Sequence, residues 1–135
     1  MKYFVFVTVT IMFVLLSNMS VFAQTKGGGW QLYYADQESG NKYYYDKGSV
    51  ESSQKGIYKV WQKITETIRE GEEQDNFKIN LQINCREKTY EVLSYIEYDG
   101  TGEKALNAQE YKENPPKSNL SLGSRMGVLF ENICP

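Results

Sequence analysis

The chain has 135 residues, a formal net charge of −2 at pH 7 and no histidine. A balance this close to neutral does not favour nucleic-acid binding, which needs a clustered positive surface. The lack of histidine removes the usual general base near neutral pH and the commonest side-chain ligand for metals. The sequence also has no metal-spaced cluster and no phosphate-binding loop, so we predict no cofactor and no metal site.

The first 23 residues have the composition of an export signal. Met1-Lys2 supplies a short charged start, residues 3–16 are almost entirely apolar, and Ala23 ends a small-residue cleavage pattern. The apolar run is shorter than the roughly 20 residues that a membrane-spanning helix needs, although a retained anchor helix is the alternative. We therefore predict a signal peptide over residues 1–23 and no stable membrane insertion after its removal. No cysteine follows the cleavage position, so the sequence has no lipobox.

The predicted mature chain starts with a glycine-rich segment and continues as one domain. Residues 24–29 contain three consecutive glycines and predict a flexible lead-in, and residues 30–135 form the single domain. Two aromatic segments, residues 30–36 and 42–46, flank a polar turn and predict a β-hairpin. The acidic and amide residues of that turn lack the ladder of oxygen ligands of a calcium loop. We interpret them as turn-forming residues.

A longer strand and a charged connector follow. Residues 57–68 predict a strand in which Lys59, Trp61 and Lys63 share one face. Residues 69–76 are strongly charged and contain a glycine. Their acidic cluster can bind a cation or a basic partner, but we interpret the segment as a solvated loop, as most charge runs are.

The clearest pattern lies in residues 77–86, whose side chains alternate strictly between apolar and polar. The apolar set is Phe77, Ile79, Leu81, Ile83 and Cys85, and the polar set is Lys78, Asn80, Gln82, Asn84 and Arg86. A period of two over ten residues is typical of a strand with one face in the core and one in water. The polar set is our candidate partner-binding surface, and the pattern places Cys85 on the buried face.

The antiparallel meander continues beyond this strand. Residues 89–98 predict the next strand, and Asp99-Gly-Thr-Gly102 predicts a hairpin turn because its Asp-Gly pair supplies positive-φ positions. Residues 103–111 return as a weaker strand. We predict an antiparallel sheet of about six strands.

The end of the chain changes to a helical period. After a break at Pro115-Pro116, apolar residues recur at steps of three and four: Leu122, Met126, Leu129, Phe130 and Ile133. We predict a helix over residues 121–133, with capping residues at 118–121, packed on one face of the sheet. The predicted fold class is α+β.

Cys85 and Cys134 are the two cysteines of the chain. In an exported protein, thiols meet an oxidising compartment, so two cysteines most simply form one disulfide. The bridge closes a loop of roughly 50 residues and stabilises the fold by about 4 kcal/mol. A redox-active pair would need close spacing such as C-x-x-C, which is absent. We predict a structural bridge that ties the helix to the sheet.

Several motifs follow one another in order along the predicted domain. They are Trp30-x-Leu-Tyr-Tyr, Tyr43-Tyr-Tyr-Asp-Lys-x-Ser-Val50, Val60-Trp-x-Lys63, Ile83-Asn-Cys-Arg86 and Tyr90-x-x-Leu-Ser-Tyr-x-Glu-Tyr-Asp99. Together they resemble the surface-adhesin protein E family over nearly all of residues 30–135. The resemblance implies a small exported bacterial domain, with an antiparallel sheet and a C-terminal helix tied by the two cysteines. It also implies a surface adhesin that binds host matrix or plasma proteins, and it is compatible with a homodimer.

The adhesin that names this family is lipid-anchored, whereas our chain has no lipobox cysteine. We therefore predict export to the periplasm, the cell surface or the medium. The predicted function is a non-catalytic protein-binding module, not an enzyme, with tyrosines contributing to its contact surface.

Two other classes of function remain open at this point. The first is a small periplasmic inhibitor or chaperone-like binder of another envelope protein, which would use the loops at residues 69–76 and 99–102. The second is an enzyme. A carboxylate pair such as Glu91 and Glu97, predicted to lie on the same strand face, can in principle act as a glycosidase pair. Nothing in the sequence raises the pKa of either carboxyl group.

Overall fold

Residues 29–135, the part of the chain that the computed structural model describes, form eight strands and one α-helix. The strands and the helix are β1 (Trp30–Ala35), β2 (Asn41–Asp46), β3 (Glu51–Gln54), β4 (Ile57–Arg69), β5 (Glu72–Asn84), β6 (Thr89–Tyr98), β7 (Ala105–Glu110), β8 (Lys117–Asn119) and α1 (Arg125–Ile133). The predicted signal peptide and all but the last residue of the predicted lead-in lie outside the described residues.

All eight strands belong to one antiparallel sheet, so the predicted α+β fold is confirmed. The main order is β1-β2-β4-β5-β6-β7, while β3 pairs with β4 and β8 pairs with β6. The short strand β3 lies in line with β2 beside β4, and the short strand β8 lies in line with β7 beside β6. The sheet therefore has the six predicted positions. The sequence pattern missed β3 and β8 because all of their residues are exposed and carry no apolar alternation.

The core lies between α1 and one face of the sheet. Val60 and Ile83, on the two central strands, and Leu129 of the helix are each 0% exposed. Tyr45, Leu81, Met126 and Ile133 complete the same buried cluster. Burying one such side chain stabilises a fold by about 1.5–3 kcal/mol. We call this side of the sheet the helix face, and the opposite side, which carries Trp61, Lys63, Lys78 and Asn80, the open face.

The disulfide prediction is confirmed and joins the sheet to the helix. Cys85 and Cys134 are bonded, with 5.8 Å between their Cα atoms. Cys85 follows β5 directly, and its backbone N–H donates to the carbonyl of Gly56 at 2.8 Å. Cys134 caps the C-terminus of α1 and donates its N–H to Phe130. The bridge therefore fixes the end of the helix above the end of a central strand.

The predicted start of the helix was wrong by four residues. Helix α1 begins at Arg125, and the hydroxyl of Ser124 accepts from the N–H of Gly127 at 3.1 Å as its cap. Gly123 has a φ of +84°, a left-handed conformation that a continuous helix does not contain. Leu122 consequently lies outside the helix and is 60% exposed.

The charged segment at residues 69–76 is not a solvated loop. Strands β4 and β5 run into it from both sides and leave only Glu70-Gly71 as the turn. Two of its acidic side chains are paired with lysines, Glu73 with Lys42 and Asp75 with Lys63, and Glu72 pairs with Arg69. Ion pairing across the sheet allows this charged sequence to continue as strand.

The turn after β6 is present, but the glycine that permits it is not the predicted one. Gly102, with a φ of +71°, adopts the left-handed conformation, and Gly100 does not. A Cβ atom at Gly102 would lie 2.9 Å from the backbone nitrogen of Asp75. The Asp99 carboxylate accepts from the hydroxyl and N–H of Thr101, and the hydroxyl contact lowers the pKa of Asp99. Asp99 therefore forms the turn by hydrogen bonding rather than by pairing with a positive-φ Gly100.

Candidate binding surface on the open face of the sheet

The open face is defined by the strand register. In antiparallel pairs, residues directly opposite each other project to the same face. Trp61 lies opposite Asn80 and Lys63 opposite Lys78 across β4 and β5, and Asn80 lies opposite Ser94 across β5 and β6. The single helix of residues 29–135 packs on the other face, so these side chains face outward.

The four strand residues of the predicted polar set lie on this face, and the fifth lies beside it. Lys78, Asn80, Gln82 and Asn84 are half-buried, whereas Arg86 is exposed in the turn after β5. Large neighbours on the flanking strands cause the half-burial.

Two residues of this set, Gln82 and Asn84, form side-chain hydrogen bonds within the fold. The amide nitrogen of Gln82 donates to the Glu91 carboxylate at 3.1 Å. The Asn84 side-chain oxygen accepts from the backbone N–H groups of Arg86 and Glu87 at 3.1 and 3.0 Å, so Asn84 forms the turn. Asn80 has no side-chain hydrogen bond with any residue from 29 to 135 and is the freer candidate contact.

Lysine side chains of the open face lie against aromatic rings. The ammonium group of Lys63 is 5.2 Å from the centroids of both Trp30 and Tyr44, and that of Lys78 is 5.2 Å from Tyr98. These are cation–π distances. The Asp75 carboxylate lies between the two lysines, 3.4 Å from Lys63 and 3.5 Å from Lys78. We call these six residues the lysine–aromatic network.

The edge of the network is fixed by a carboxylate. Glu73 accepts from the hydroxyls of Tyr44 at 2.7 Å and Thr65 at 3.0 Å, and it pairs with Lys42. The hydrogen bond from Lys42 holds the pKa of Glu73 below its usual range. Burial and the bond to Glu73 raise the pKa of Tyr44 to about 12. At neutral pH, Glu73 is therefore ionised, and the neutral Tyr44 hydroxyl donates a hydrogen bond to it. The ring of Tyr44 faces Lys63.

A shallow pocket of about 320 Å³ opens on the same face next to strand β7. The side chains on this face that line it are Trp61, Ser94, Ile96, Ala108 and Glu110. They provide an aromatic surface, two small apolar contacts, a hydroxyl and a carboxylate. This combination is typical of a site that holds one amphipathic group.

The alternative enzyme site is not assembled. Strand β6 has a bulge between the Asn80–Ser94 and Leu81–Val92 pairs. The bulge places Glu91, opposite Gln82, on the open face and Glu97, opposite Phe77, on the helix face. The prediction that the two carboxylates share a face was wrong. Within residues 29–135, no three cysteine or carboxylate side chains are grouped as metal ligands.

The helix face also contains polar groups, but they belong to the core. Arg125 stacks on Tyr43 at 4.3 Å and donates to its hydroxyl at 3.0 Å. The Tyr33 hydroxyl and the Gln62 side-chain oxygen are buried without a hydrogen-bond partner among the described residues. Burial raises the pKa of Tyr33, which keeps its hydroxyl protonated. The Tyr33 and Gln62 groups are covered and do not form a contact surface, whereas Arg125 is exposed where it lies over Tyr43.

Comparison with known proteins identifies the family. The model of the surface-adhesin protein E family matches residues 30–135. The chain belongs to this family. The resemblance inferred from the ordered motifs is therefore confirmed over nearly all of the described residues. No curated protein and no solved structure matches the chain.

In this member of the surface-adhesin protein E family, the residues predicted from the sequence as a partner-binding surface are only part of the open face. Trp30, Tyr44, Asp75 and the pocket beside β7 were not predicted. One sequence pattern did point to this surface, because it correctly placed Trp61 and Lys63 on the same face of their strand. The pairing of that face with the polar face of β5 depends on register, which the sequence pattern did not give.

No helix within residues 29–135 is long and apolar enough to cross a membrane.

Proposed function

We propose that this adhesin-family domain is an exported, non-catalytic module that binds a host or matrix protein through the open face. The observation that carries the proposal is the lysine–aromatic network, which lies on the sheet face that α1 leaves uncovered. Family membership supports a role in adhesion, and the name of the family supports export.

The composition of the open face suits protein recognition. Aromatic residues are enriched at the centres of protein interfaces, and isolated lysines are depleted there because desolvating an ammonium group is costly. In this face, Trp30, Tyr44 and Tyr98 already hold the lysines against their rings. The Asp75 carboxylate pairs with both Lys63 and Lys78 and neutralises part of their charge. The network therefore presents a preorganised surface that loses less side-chain freedom on binding than free lysines would.

The polar residues of β5 extend this surface toward the disulfide end of the sheet. Asn80 forms no side-chain hydrogen bond with residues 29–135, and Arg86 is exposed beyond it. A partner that lies across β4, β5 and β6 would contact the network and these residues together. We propose Lys78, Asn80, Gln82, Asn84 and Arg86 as one margin of the binding surface, with Asn84 acting through the turn that it forms.

Binding is tested with immobilised matrix and plasma proteins and purified variants of the domain. We expect Lys63→Met and Asn80→Ala to reduce the binding of a protein that the wild type captures. Asn132→Ala, on the exposed side of α1, is the matched control for Asn80→Ala and should bind as the wild type does. If the open-face variants bind normally while helix variants do not, the surface is misassigned.

Location is tested by fractionation and by protease shaving of intact cells. Exposure at the surface is expected for an adhesin. Confinement to the periplasm would contradict the adhesin function and direct the search toward another envelope protein as partner.

A further inference from the structure

We propose that the free edge of β7 and the adjoining pocket together bind an extended segment of a protein partner, with one arginine or lysine side chain of that segment seated over Trp61. This inference rests on the proposed protein-binding function and names the part of the partner that is recognised. We call the site the strand-edge pocket, formed by β7 and by Trp61, Ser94 and Ile96.

Within the part of the chain that the structure describes, strand β7 has one edge without a partner strand. In the main strand order it is the last strand and pairs only with β6 among the described residues. All six of its residues are exposed, and it contains no proline and no lysine. Proline and lysine are residues with which proteins commonly block an exposed strand edge. Because β7 has neither, its edge is open to strand addition.

The direction of the unpaired backbone groups can be derived from one hydrogen bond. The N–H of Tyr111 donates to the carbonyl of Leu93 on β6 at 2.8 Å. Backbone groups point to alternate sides along a strand, so Gln109 also faces β6 while Ala108 and Glu110 face outward. An added strand would therefore form its hydrogen bonds with Ala108 and Glu110.

The same two residues line the pocket. Ala108 lies opposite Ile96, and Glu110 lies opposite Ser94, so both side chains project onto the open face. A residue of the added strand that pairs with Ala108 must project its own side chain to that face. Because alanine is small, a long side chain at this position can pass over it toward Ile96 and Trp61.

The chemistry of the pocket favours a cation with an apolar stem. Trp61 offers an indole ring, the best side-chain surface for a cation–π contact. Glu110 is exposed and forms no ion pair within residues 29–135, unlike Glu73 and Asp75 elsewhere on this face. Ile96 and Ala108 provide apolar contacts for the methylene groups. Arginine and lysine combine these two features, with arginine the better match for a ring and a carboxylate together.

The test uses the whole domain and short threonine-rich peptides that differ only at the central position. One peptide carries arginine, and the other carries citrulline, which has a similar shape without the charge. We expect the arginine peptide to shift the amide resonances of Ala108 and Glu110 and the indole resonance of Trp61. We also expect its dissociation constant to be about tenfold lower than that of the citrulline peptide.

A charge variant tests whether the arginine peptide contacts the Glu110 carboxylate itself or responds only to the net charge of the domain. Glu110→Gln should reduce the difference between the arginine and citrulline peptides to the part that the Trp61 ring contributes. Glu131→Gln, on the exposed side of α1, removes the same charge elsewhere and should preserve that difference. Equal binding of both peptides to the wild type would overturn the proposal of a cation site.

The strand contact is tested by N-methylation of the peptide backbone. Methyl groups on the residues whose N–H groups face β7 should weaken binding about tenfold, since each removes a hydrogen bond. Methyl groups on the alternate residues should not. If the two methylated peptides bind equally, the inference is wrong. It is also wrong if β7 instead pairs two copies of the domain and excludes the peptide.

Failure of this inference is distinct from failure of the proposed function. If the domain binds a matrix protein through the open face but the arginine peptide causes no shift at β7, the proposed function stands and the strand-edge pocket does not. If the peptide binds at β7 but no matrix or plasma protein is captured, the site stands and the host-protein function fails.

Discussion

The side chains on the two faces of strand β5 differ in how deeply they are buried and in what covers them. On the helix face, Leu81 and Ile83 are 2% and 0% exposed because α1 covers them. On the open face, Asn80 and Gln82 reach only half-burial, produced by long neighbouring side chains that lie across the sheet. The same strand therefore contributes aliphatic packing on one side and adaptable polar contacts on the other. If the open face is the binding surface, as we propose, stability and recognition are separated between the two faces, and the following variants test that separation.

The largest expected effect is on the bridge that holds the helix against its face. Cys134→Ser should lower the free energy of unfolding by about 4 kcal/mol, because the open chain gains freedom in a loop of roughly 50 residues. The loss is measured by denaturant unfolding of the oxidised protein. Reduction of the wild type should give a similar loss. An unchanged thermal midpoint would show that α1 is held by packing alone.

Removing one buried helix side chain should have the next largest effect. Leu129→Ala should cost about 3 kcal/mol, since the residue is 0% exposed and leaves a cavity against Val60 and Ile83. Leu122→Ala is the matched control because Leu122 is 60% exposed, and it should change the free energy of unfolding by less than about 0.5 kcal/mol. Equal losses would mean that the helix start is wrongly assigned.

On the open face, the stability contribution of Glu73 should be smaller and should depend on pH. The folded state lowers the pKa of Glu73 through Lys42 and Tyr44, so its contribution is fully present above the unfolded pKa of about 4.3. It is lost as the pH falls through the folded pKa. We expect Glu73→Gln to cost about 1 kcal/mol at pH 7.

The measurement for this prediction is denaturant unfolding at a series of pH values. The difference between Glu73→Gln and the wild type should shrink as the solution is acidified below about pH 4.3. Glu103→Gln, an exposed carboxylate in the turn before β7, should show no such trend. A difference that stays constant in acid would contradict the assigned ion pair.

The smallest stability effect is expected at the centre of the lysine–aromatic network. Lys63→Met should change the free energy of unfolding by less than about 1 kcal/mol, because Asp75 keeps its ion pair with Lys78 and methionine retains the apolar stem. Its binding should nevertheless fall, as proposed above. If Lys63→Met destabilised the domain as strongly as Leu129→Ala does, the two faces would not be separated in function.

Much of the fold could be predicted because its long strands contain local patterns. The alternation along residues 77–86 identified the apolar face of β5, and the bounds predicted for β6 agree with the structure. Local patterns failed where a single backbone position changed the outcome. Gly123 delays the start of α1, and the bulge in β6 moves Glu97 to the face opposite Glu91.

The candidate surface was only partly predictable, because it is assembled from several strands. The alternation placed Lys78 and Asn80 away from the core, which the structure confirms. The contact of Lys63 with Trp30 and Tyr44, by contrast, joins three strands that are adjacent only in the folded sheet.

The sequence by itself determined the family, the antiparallel sheet, the C-terminal helix and the pairing of Cys85 with Cys134. Each depends on motifs, on side-chain periodicity or on the presence of only two cysteines. The tertiary structure alone decided which charges are paired, where the sheet ends and which side chains line the pocket beside β7. The physical reason is strand register: a shift by one residue reverses the face of every side chain, and register is established by contacts between distant segments.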